Sequence, residues 1–337
     1  MKKVLLTGAS GFVGSHVLRH VLANTDWQII CPVTFKHKGL PDRIIASIRG
    51  LDDDFKRTKL IRCDLTYPIS KLTAIEFGNI NYVLNVASES HVDRSIQFPS
   101  DFILNNVALI CNILDWARQH DHLEKFVQIS TDEVYGPAKY GHKHQEWNDL
   151  HLPSNPYAAS KSSQESIAFS YWRTYGVPLA ITNTMNIIGE MQDPEKFVPL
   201  VMKKIYSNEV VGIHGSADGI IGSRFYLHAR NQADGLLHVL KQDFIPYGKS
   251  DRPLKFNIVG EKEYNNLELA NLIAKIMGKN LKYEIIDFHS TRPGHDLRYA
   301  LDGEKMKQSG WQPPLSFEDS LETTINWTLD NPQWLDI

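Results

Sequence analysis

Long apolar runs are missing from this chain. No stretch approaches the ~18 consecutive apolar residues of a membrane-spanning helix, so none is expected. An excess of one charge is missing too. Lys and Arg number 36, Asp and Glu 39, and the formal net charge is -3. Broad electrostatic attraction to nucleic acid or to an anionic membrane is therefore not expected, and any phosphate must be held by local groups. Cysteine is scarce. Cys31, Cys63 and Cys111 are odd in number and sit in apolar or strand-like contexts, which suits reduced, buried thiols in a cytoplasmic protein. The opening Met1-Lys2-Lys3-Val4-Leu5-Leu6 looks like the start of a signal peptide. Gly8, Gly11 and Gly14 interrupt its apolar run too early, so a leader is not expected. Without secretion the sequon Asn326-Trp327-Thr328 carries no weight. Internal repeats and low-complexity stretches are absent.

What is present is globular. Hydrophobic residues make up 42% and charged residues 22% of 337 residues, enough for one large or two ordinary domains. Val4-Leu5-Leu6 reads as a short buried strand. It turns at Gly8-x-x-Gly11-x-x-Gly14 into a helix whose Val13, Val17 and Val21 share one face. Glycine there permits the tight turn and lets backbone approach a pyrophosphate, and the helix N-terminus offers unpaired N–H groups to that anion. Gly8, Gly11, Phe12, Val13 and Gly14 are thus candidate dinucleotide contacts, because the triad follows a strand and opens a helix.

The second strand, 28–33, ends in Pro32-Val33-Thr34-Phe35-Lys36-His37-Lys38. A carboxylate for the ribose 2′-hydroxyl of NAD is lacking, while Thr34, Lys36 and their neighbours would accommodate a 2′-phosphate. NADP is modestly preferred and NAD stays open, since the lysines also suit a solvated loop. A third strand runs over 60–65 and ends in Asp64 and Leu65, with Asp64 placed for an adenine amino group. A fourth, 82–87, leads through Ala87 and Ser88 into the polar run Glu89-Ser90-His91-Val92-Asp93-Arg94-Ser95. A helix is expected over 102–118, with Asn106 near its start and within reach of the cofactor side. Strands alternating with helices argue for an α/β fold with a doubly wound parallel sheet.

The chemistry concentrates further on. Phe126, Val127 and Ile129 form a buried parallel strand that breaks into Ser130, Thr131, Asp132 and Glu133. At a strand's carboxyl end such groups supply a hydrogen-bond donor, an acid and a base, although a helix-capping turn uses the same residue types. Downstream, Tyr157 and Lys161 lie four apart on one helical face. A phenol with a pKa of about 10 is a poor base, but a nearby ammonium and the positive nicotinamide stabilise its phenolate. Tyr157 then takes a proton from a substrate hydroxyl.

Glu89 to Ser95, Ser130 to Gly136, Tyr157 with Lys161, Pro194-Glu195-Lys196 and Arg292-Pro293-Gly294-His295-Asp296 together resemble the extended short-chain dehydrogenase/reductase family, and within it the nucleotide-sugar 4,6-dehydratases. The resemblance implies a lyase with tightly bound NAD(P) that oxidises an NDP-hexose at C4, eliminates water across C5–C6 and returns hydride to C6. dTDP-glucose is the default substrate. It implies that Tyr157, assisted by Thr131 and Lys161, deprotonates O4, that Glu133 takes the C5 proton, and that Asp132 protonates the leaving hydroxyl. Adjacent carboxyls with split pKa values suit those roles.

The same resemblance implies cofactor contacts at Ala87, Ser88, Asn106 and Ser130, and substrate contacts at Ser90, His91, Arg94, Asn186, Lys196, Pro199, Arg224, Asn231, Arg292, His295 and Arg298. It also implies a homodimer. Residues 1–183 would form the dinucleotide-binding domain and 184–337 a smaller nucleotide-sugar domain, with some elements exchanged between them. The chain departs from the family where an arginine usually stands: it has Asn183. In the segment that follows, only Asn186, Gly189 and Gln192 fit well.

His120-x-His122 and His142-x-His144 raise the question of metal, but no third ligand stands at suitable spacing, so none is expected. Ser316 with Asp319 resembles a capping box opening a closing helix whose face is Leu321, Ile325 and Leu329. Two rivals remain. One is a 4-epimerase or another redox-neutral sugar-nucleotide modifier, which would tolerate loss of Asp132 and Glu133. The other is a non-catalytic NAD(P)-binding sensor, which has no need of Tyr157 and Lys161.

Overall fold

A computed structural model describes residues 1–216, 218–287 and 296–337. The chain opens with β1 (Lys3–Thr7), α1 (Phe12–Asn24), β2 (Gln28–Val33), α2 (Pro41–Ile48), β3 (Thr58–Arg62), α3 (Lys71–Phe77) and β4 (Tyr82–Asn85). Then follow α4 (Val92–Gln97), α5 (Pro99–Ala117), β5 (Lys125–Thr131), a 3-10 turn over Asp132–Tyr135, α6 (Pro156–Tyr175) and β6 (Leu179–Thr184). The remainder comprises β7 (Ile187–Ile188), α7 (Phe197–Tyr206), β8 (Val211–Gly215), β9 (Ser223–Phe225), β10 (Leu227–His228), α8 (Ala229–Leu240), β11 (Leu254–Ile258), β12 (Glu263–Asn265), α9 (Asn266–Ile276), β13 (Tyr283–Asp287), α10 (Glu304–Gln308), α11 (Phe317–Asp330) and a terminal 3-10 turn over Pro332–Leu335.

Seven strands form one sheet in the order β11-β6-β5-β4-β1-β2-β3. Every pairing in it is parallel. Parallel strands covered on both faces are largely apolar, and β5 and β6 are buried along their whole length. The chain winds outward from β1 to β3, then returns beside β1 and winds the other way from β4. That reversal opens a crevice beyond the carboxyl ends of β1 and β4, the place where doubly wound sheets bind ligands. One apolar cluster covers a sheet face with α1, α2 and α8, and a second covers the other face with α5 and α6. Trp172 of α6 is fully buried in the second.

Later elements build a third core, in which Val201, Met202, Ile205, Leu269, Ile273, Leu321 and Ile325 pack together. Three two-stranded sheets accompany it. β11 and α8 come from this later part of the chain, yet β11 completes the large sheet and α8 lies against α1. The strand expected over 60–65 stops at Arg62, so Asp64 lies in the turn beyond it. The long helix begins at Pro99, three residues earlier than its apolar spacing indicates, because proline is favoured in the first helical turn. The closing helix does start at Ser316, whose hydroxyl accepts from Asp319 N–H. Of the three thiols only Cys31 is buried; Cys63 and Cys111 are half-buried. Among the described residues no helix is long and apolar enough to cross a membrane.

Candidate active site

The glycine turn is shaped by close approach. Gly8 has φ +72°, and a Cβ on it would fall 2.9 Å from the Ala87 nitrogen beyond β4. A Cβ on Gly14 would fall 2.0 Å from the Gly8 carbonyl oxygen. The Thr7 hydroxyl donates to Asn85 Oδ1 and accepts from Ala87 N–H, which ties the ends of β1 and β4 together. Gly11 caps α1 without a side-chain hydrogen bond. The N–H groups of the first turn, at Phe12 and Val13, therefore face the crevice without a side-chain acceptor, as anion binding requires. These features fit the diphosphate of a dinucleotide.

The cationic loop after β2 is a different matter. Lys36 pairs with Asp64, Lys38 with Glu195, and the His37 ring lies 3.4 Å from Glu89. Asp64 also accepts from the N–H and hydroxyl of Thr66, while the Thr34 hydroxyl accepts from Lys36 N–H. The loop therefore gives the lean toward NADP no support. The cations that would attract a 2′-phosphate already face carboxylates from distant parts of the chain. Leu65 is buried in the core beside this turn.

β5 carries Ser130 and Thr131 to the crevice, and its 3-10 turn presents Asp132 and Glu133. The Thr131 hydroxyl donates to Asp132 Oδ1 at 2.9 Å and accepts from Glu133 N–H at 3.3 Å. Gly136 ends the turn at φ +73°, where a Cβ would meet Leu152 O at 2.3 Å. Asp132 is 4% exposed. Burial, then the charge of Glu133, pushes its carboxyl up to about 7 against opposition from Thr131 and Arg224. Glu133 is half-buried and also raised, by burial first. Asn155, Arg224 and Lys196 oppose that rise, and Asp296 adds to it. Asn155 caps α6 by accepting from Ala158 N–H, and its amide donates to Glu133 Oε2 at 3.1 Å. Sequence reasoning missed this residue, although an Asn directly before Pro-Tyr is a recognisable cap signal.

Tyr157 and Lys161 occupy the first turns of α6, both buried. Burial raises the phenol well above its ordinary value, and the charge of Glu133 raises it further, against the Thr131 hydroxyl. The ammonium of Lys161 does not offset this rise as the sequence suggested. Its Nζ donates to Ile129 O at 2.7 Å and to Gln164 Oε1 at 2.8 Å, and burial lowers it to about 8. Among the groups acting on the phenol, the Thr131 hydroxyl is the one that lowers it.

Other sequence candidates separate in space. Asn106 is fully buried, and its amide grips both backbone groups of Glu89 and the Ser160 hydroxyl, so it holds the loop after β4 rather than reaching outward. That loop places the Ser88 hydroxyl on Glu89 O and leaves Ser90 exposed. His91 caps α4 by accepting from Arg94 N–H, and Arg94 pairs with Glu89 at 3.2 Å. Asn186 is exposed, and Lys196 opens α7 with its charge felt at Glu133.

Arg224 donates to the carbonyls of Ser223, Asp296 and Leu297, lies 4.5 Å over the Tyr299 ring, and acts on both acids. Arg298 forms a two-pronged pair with Glu263 and donates to Lys139 O and His142 O, which engages most of its N–H groups in the fold. Pro199 lines a small void with Met202, Thr328 and Trp334 in the third core. Asn231 is buried and donates to Leu315 O. Arg298, Pro199 and Asn231 are thus engaged by hydrogen bonds or packing within the fold. Arg292 and His295 lie outside the described residues.

Asp149 supplies the third group that the sequence did not offer His142 and His144: the three side chains approach within 4.8 Å. His142 Nε2 and Asp149 Oδ1 already meet at 2.8 Å, so the trio is held together by its own hydrogen bonding.

Residues 4–251 match the model of the NAD dependent epimerase/dehydratase family. The chain is similar to dTDP-glucose 4,6-dehydratase 1 of Escherichia coli K12, with 32% identity over 99% of this chain and 94% of that one. It is also similar to the crystal structure of DesIV, a dTDP-glucose 4,6-dehydratase from Streptomyces venezuelae solved with NAD bound. There the TM-score is 0.84 and the identity 30%, over 98% of both chains. A UDP-glucuronic acid 4-epimerase from Bacillus cereus shares the fold, with a TM-score of 0.84 at 22% identity over 98% of this chain and 99% of that one.

Proposed function

The chain belongs to the NAD dependent epimerase/dehydratase family, and we propose that it works as a nucleotide-sugar 4,6-dehydratase. In this reading it converts an NDP-hexose, dTDP-glucose first among the candidates, to the NDP-4-keto-6-deoxyhexose. One observation carries the reading. Two consecutive carboxyls, Asp132 and Glu133, stand beside Thr131 and Tyr157 in a buried turn that raises both. Elimination of water needs an acid and a base on one substrate. A carboxyl at about 7 is half protonated at neutral pH and donates readily.

Gly8, Gly11 and Gly14 would hold the diphosphate of the dinucleotide, whose nicotinamide would supply an acceptor, and later a donor, of hydride for the sugar carbon. The residues of the chain do the rest. Tyr157 receives the O4 proton, and Thr131 steadies the phenolate. Glu133, oriented by Asn155, takes the C5 proton made acidic by the neighbouring ketone. Asp132 gives its proton to the departing C6 hydroxyl. Arg224 and Lys196 oppose the rise at Glu133 and so favour its ionised form.

NAD is the cofactor this reading favours, because Lys36 and Lys38 face carboxylates. Residues 1–183 form the dinucleotide side, with β11 and α8 added to it, and 184–337 mainly the nucleotide-sugar side. The working form is a homodimer in the cytoplasm. Raised paired carboxyls favour this reading over a 4-epimerase, which inverts one carbon without expelling water, and over a sensor.

The test is incubation with dTDP-, UDP-, GDP- and CDP-hexoses, followed by mass analysis. Loss of one water from one of them supports the proposal. Inversion at C4 without loss of mass, or no turnover of any of the four, would overturn it.

A further inference from the structure

One turn beyond Lys161 on α6 lies a charged group that no local pattern announces. Glu165 of α6 is 3% exposed. Its Oε2 accepts from Lys255 Nζ at 2.7 Å, and its Oε1 accepts from Asn183 Nδ2 at 2.7 Å. The same Asn183 amide nitrogen also donates to Thr131 O at 2.9 Å. Lys255 is fully buried on β11, with its ammonium 4.9 Å from the ring centres of both Tyr135 and Trp147 and 3.3 Å from His151 Nε2.

A buried carboxylate must be paired, or it protonates. Asn183 donates to Glu165 but brings no charge, which an arginine at that position would. The register shows how the charge is met instead: Asn183 pairs with Asn257 on β11, and Lys255 stands two residues earlier on the same side of the sheet.

We propose that Lys255 is a positioning residue for the candidate catalytic centre, supplying from the edge strand the cation that fixes Glu165 and, through Asn183, the backbone of Thr131. The inference rests on the dehydratase reading only for its kinetic arm. Its electrostatic arm stands alone, because Glu165 is the acidic group acting on buried Lys161.

The test compares Lys255→Met, Lys255→Arg and the double variant Asn183→Arg/Lys255→Met, each with its cofactor bound. The electrostatic arm follows the titration of Lys161 by NMR of labelled lysine side chains. In Lys255→Met, Glu165 loses its ammonium partner, with only His151 at 3.5 Å left as a cationic neighbour, and takes up a proton; its pull on Lys161 is lost and that titration moves to lower pH. Lys255→Arg and the double variant restore it. The kinetic arm follows first-order cofactor reduction, which falls about tenfold or more in Lys255→Met with KM unchanged and recovers in the double variant.

An unmoved Lys161 titration in Lys255→Met, with only a lower melting temperature, would overturn the proposal. If Lys255→Met does not fold, failure of the double variant to restore folding and the Lys161 titration overturns it equally. If the wild type reduces no cofactor with any sugar nucleotide, the dehydratase reading fails, and the titration still decides the role of Lys255.

Discussion

The hydroxyl of Thr131 donates to Oδ1 of Asp132 at 2.9 Å, between neighbours that are both buried. A bond to the carboxylate favours ionisation, and this one leads the influences that oppose burial and Glu133. Thr131→Val keeps the shape and removes the bond. Asp132 then stays protonated to higher pH, so the basic limb of the water-loss profile moves upward. Cofactor reduction falls by roughly 10- to 100-fold as the phenolate loses its donor. A Thr131→Val pH profile superimposed on that of the wild type would contradict the arrangement.

Asp132 rises from 3.8 to about 7. As the proposed acid it makes water loss decline as pH rises through about 7. Glu133, the proposed base, is also raised, so the acidic limb is expected above the ordinary glutamate range. For stability the sign follows from the neutral form being favoured in the fold. The contribution of Asp132 is complete below 3.8 and is lost as pH rises through about 7. Asp132→Asn therefore abolishes water loss, retains C5 proton exchange, and raises the melting temperature relative to wild type more at pH 8 than at pH 5. Glu133→Gln abolishes the exchange itself, which deuterium incorporation at C5 reads directly.

Asn155 performs two tasks that substitution separates. It caps α6 through Ala158 N–H and donates to Glu133. Asn155→Ala loses both, at a cost of about 1 kcal/mol in stability and with Glu133 driven further up. Asn155→Asp keeps a capping oxygen but sets a like charge beside Glu133. It unfolds near the wild-type midpoint yet exchanges C5 protons several-fold more slowly at neutral pH. Equal losses of stability in the two variants would show that the cap does not depend on this oxygen.

At Gly14 the glycine cradle leaves no room for a methyl group, since a Cβ would sit 2.0 Å from Gly8 O. Gly14→Ala must displace the turn or the helix, costing roughly 1–3 kcal/mol. Dinucleotide released on denaturation falls far below one equivalent per chain, measured by its absorbance. Full cofactor content in Gly14→Ala would remove this turn from the binding site.

Lys36 pairs with Asp64, and from this the wild type is expected to prefer NAD to NADP in direct binding. Asp64→Asn releases the lysine and narrows that preference by about threefold to tenfold, from the NADP side. The change weakens with added salt, because the lysine is more than half exposed.

The glycine turn, the Thr131-Asp132-Glu133 run and the Tyr157–Lys161 spacing were legible because each lies within one strand end or one helix. Alternating strands and helices likewise gave the doubly wound sheet. The placing of β11 was not legible, because its residues follow a long intervening stretch and resemble any short buried strand. Asn106, Pro199, Asn231 and Arg298 are candidate ligand contacts by resemblance, and the partners that engage them in the fold were not legible. Polar residue type says what a side chain offers, not who accepts it.

By itself the sequence determined which reactive groups sit next to one another, since covalent order and helical pitch fix neighbours at i+1 and i+4. Tertiary structure alone decided their charge states. Lys36 meets Asp64 across 28 residues, and Lys255 meets Glu165 across 90. Ionisation responds to distance through space and to loss of water, and neither quantity exists until the sheet has brought those segments together.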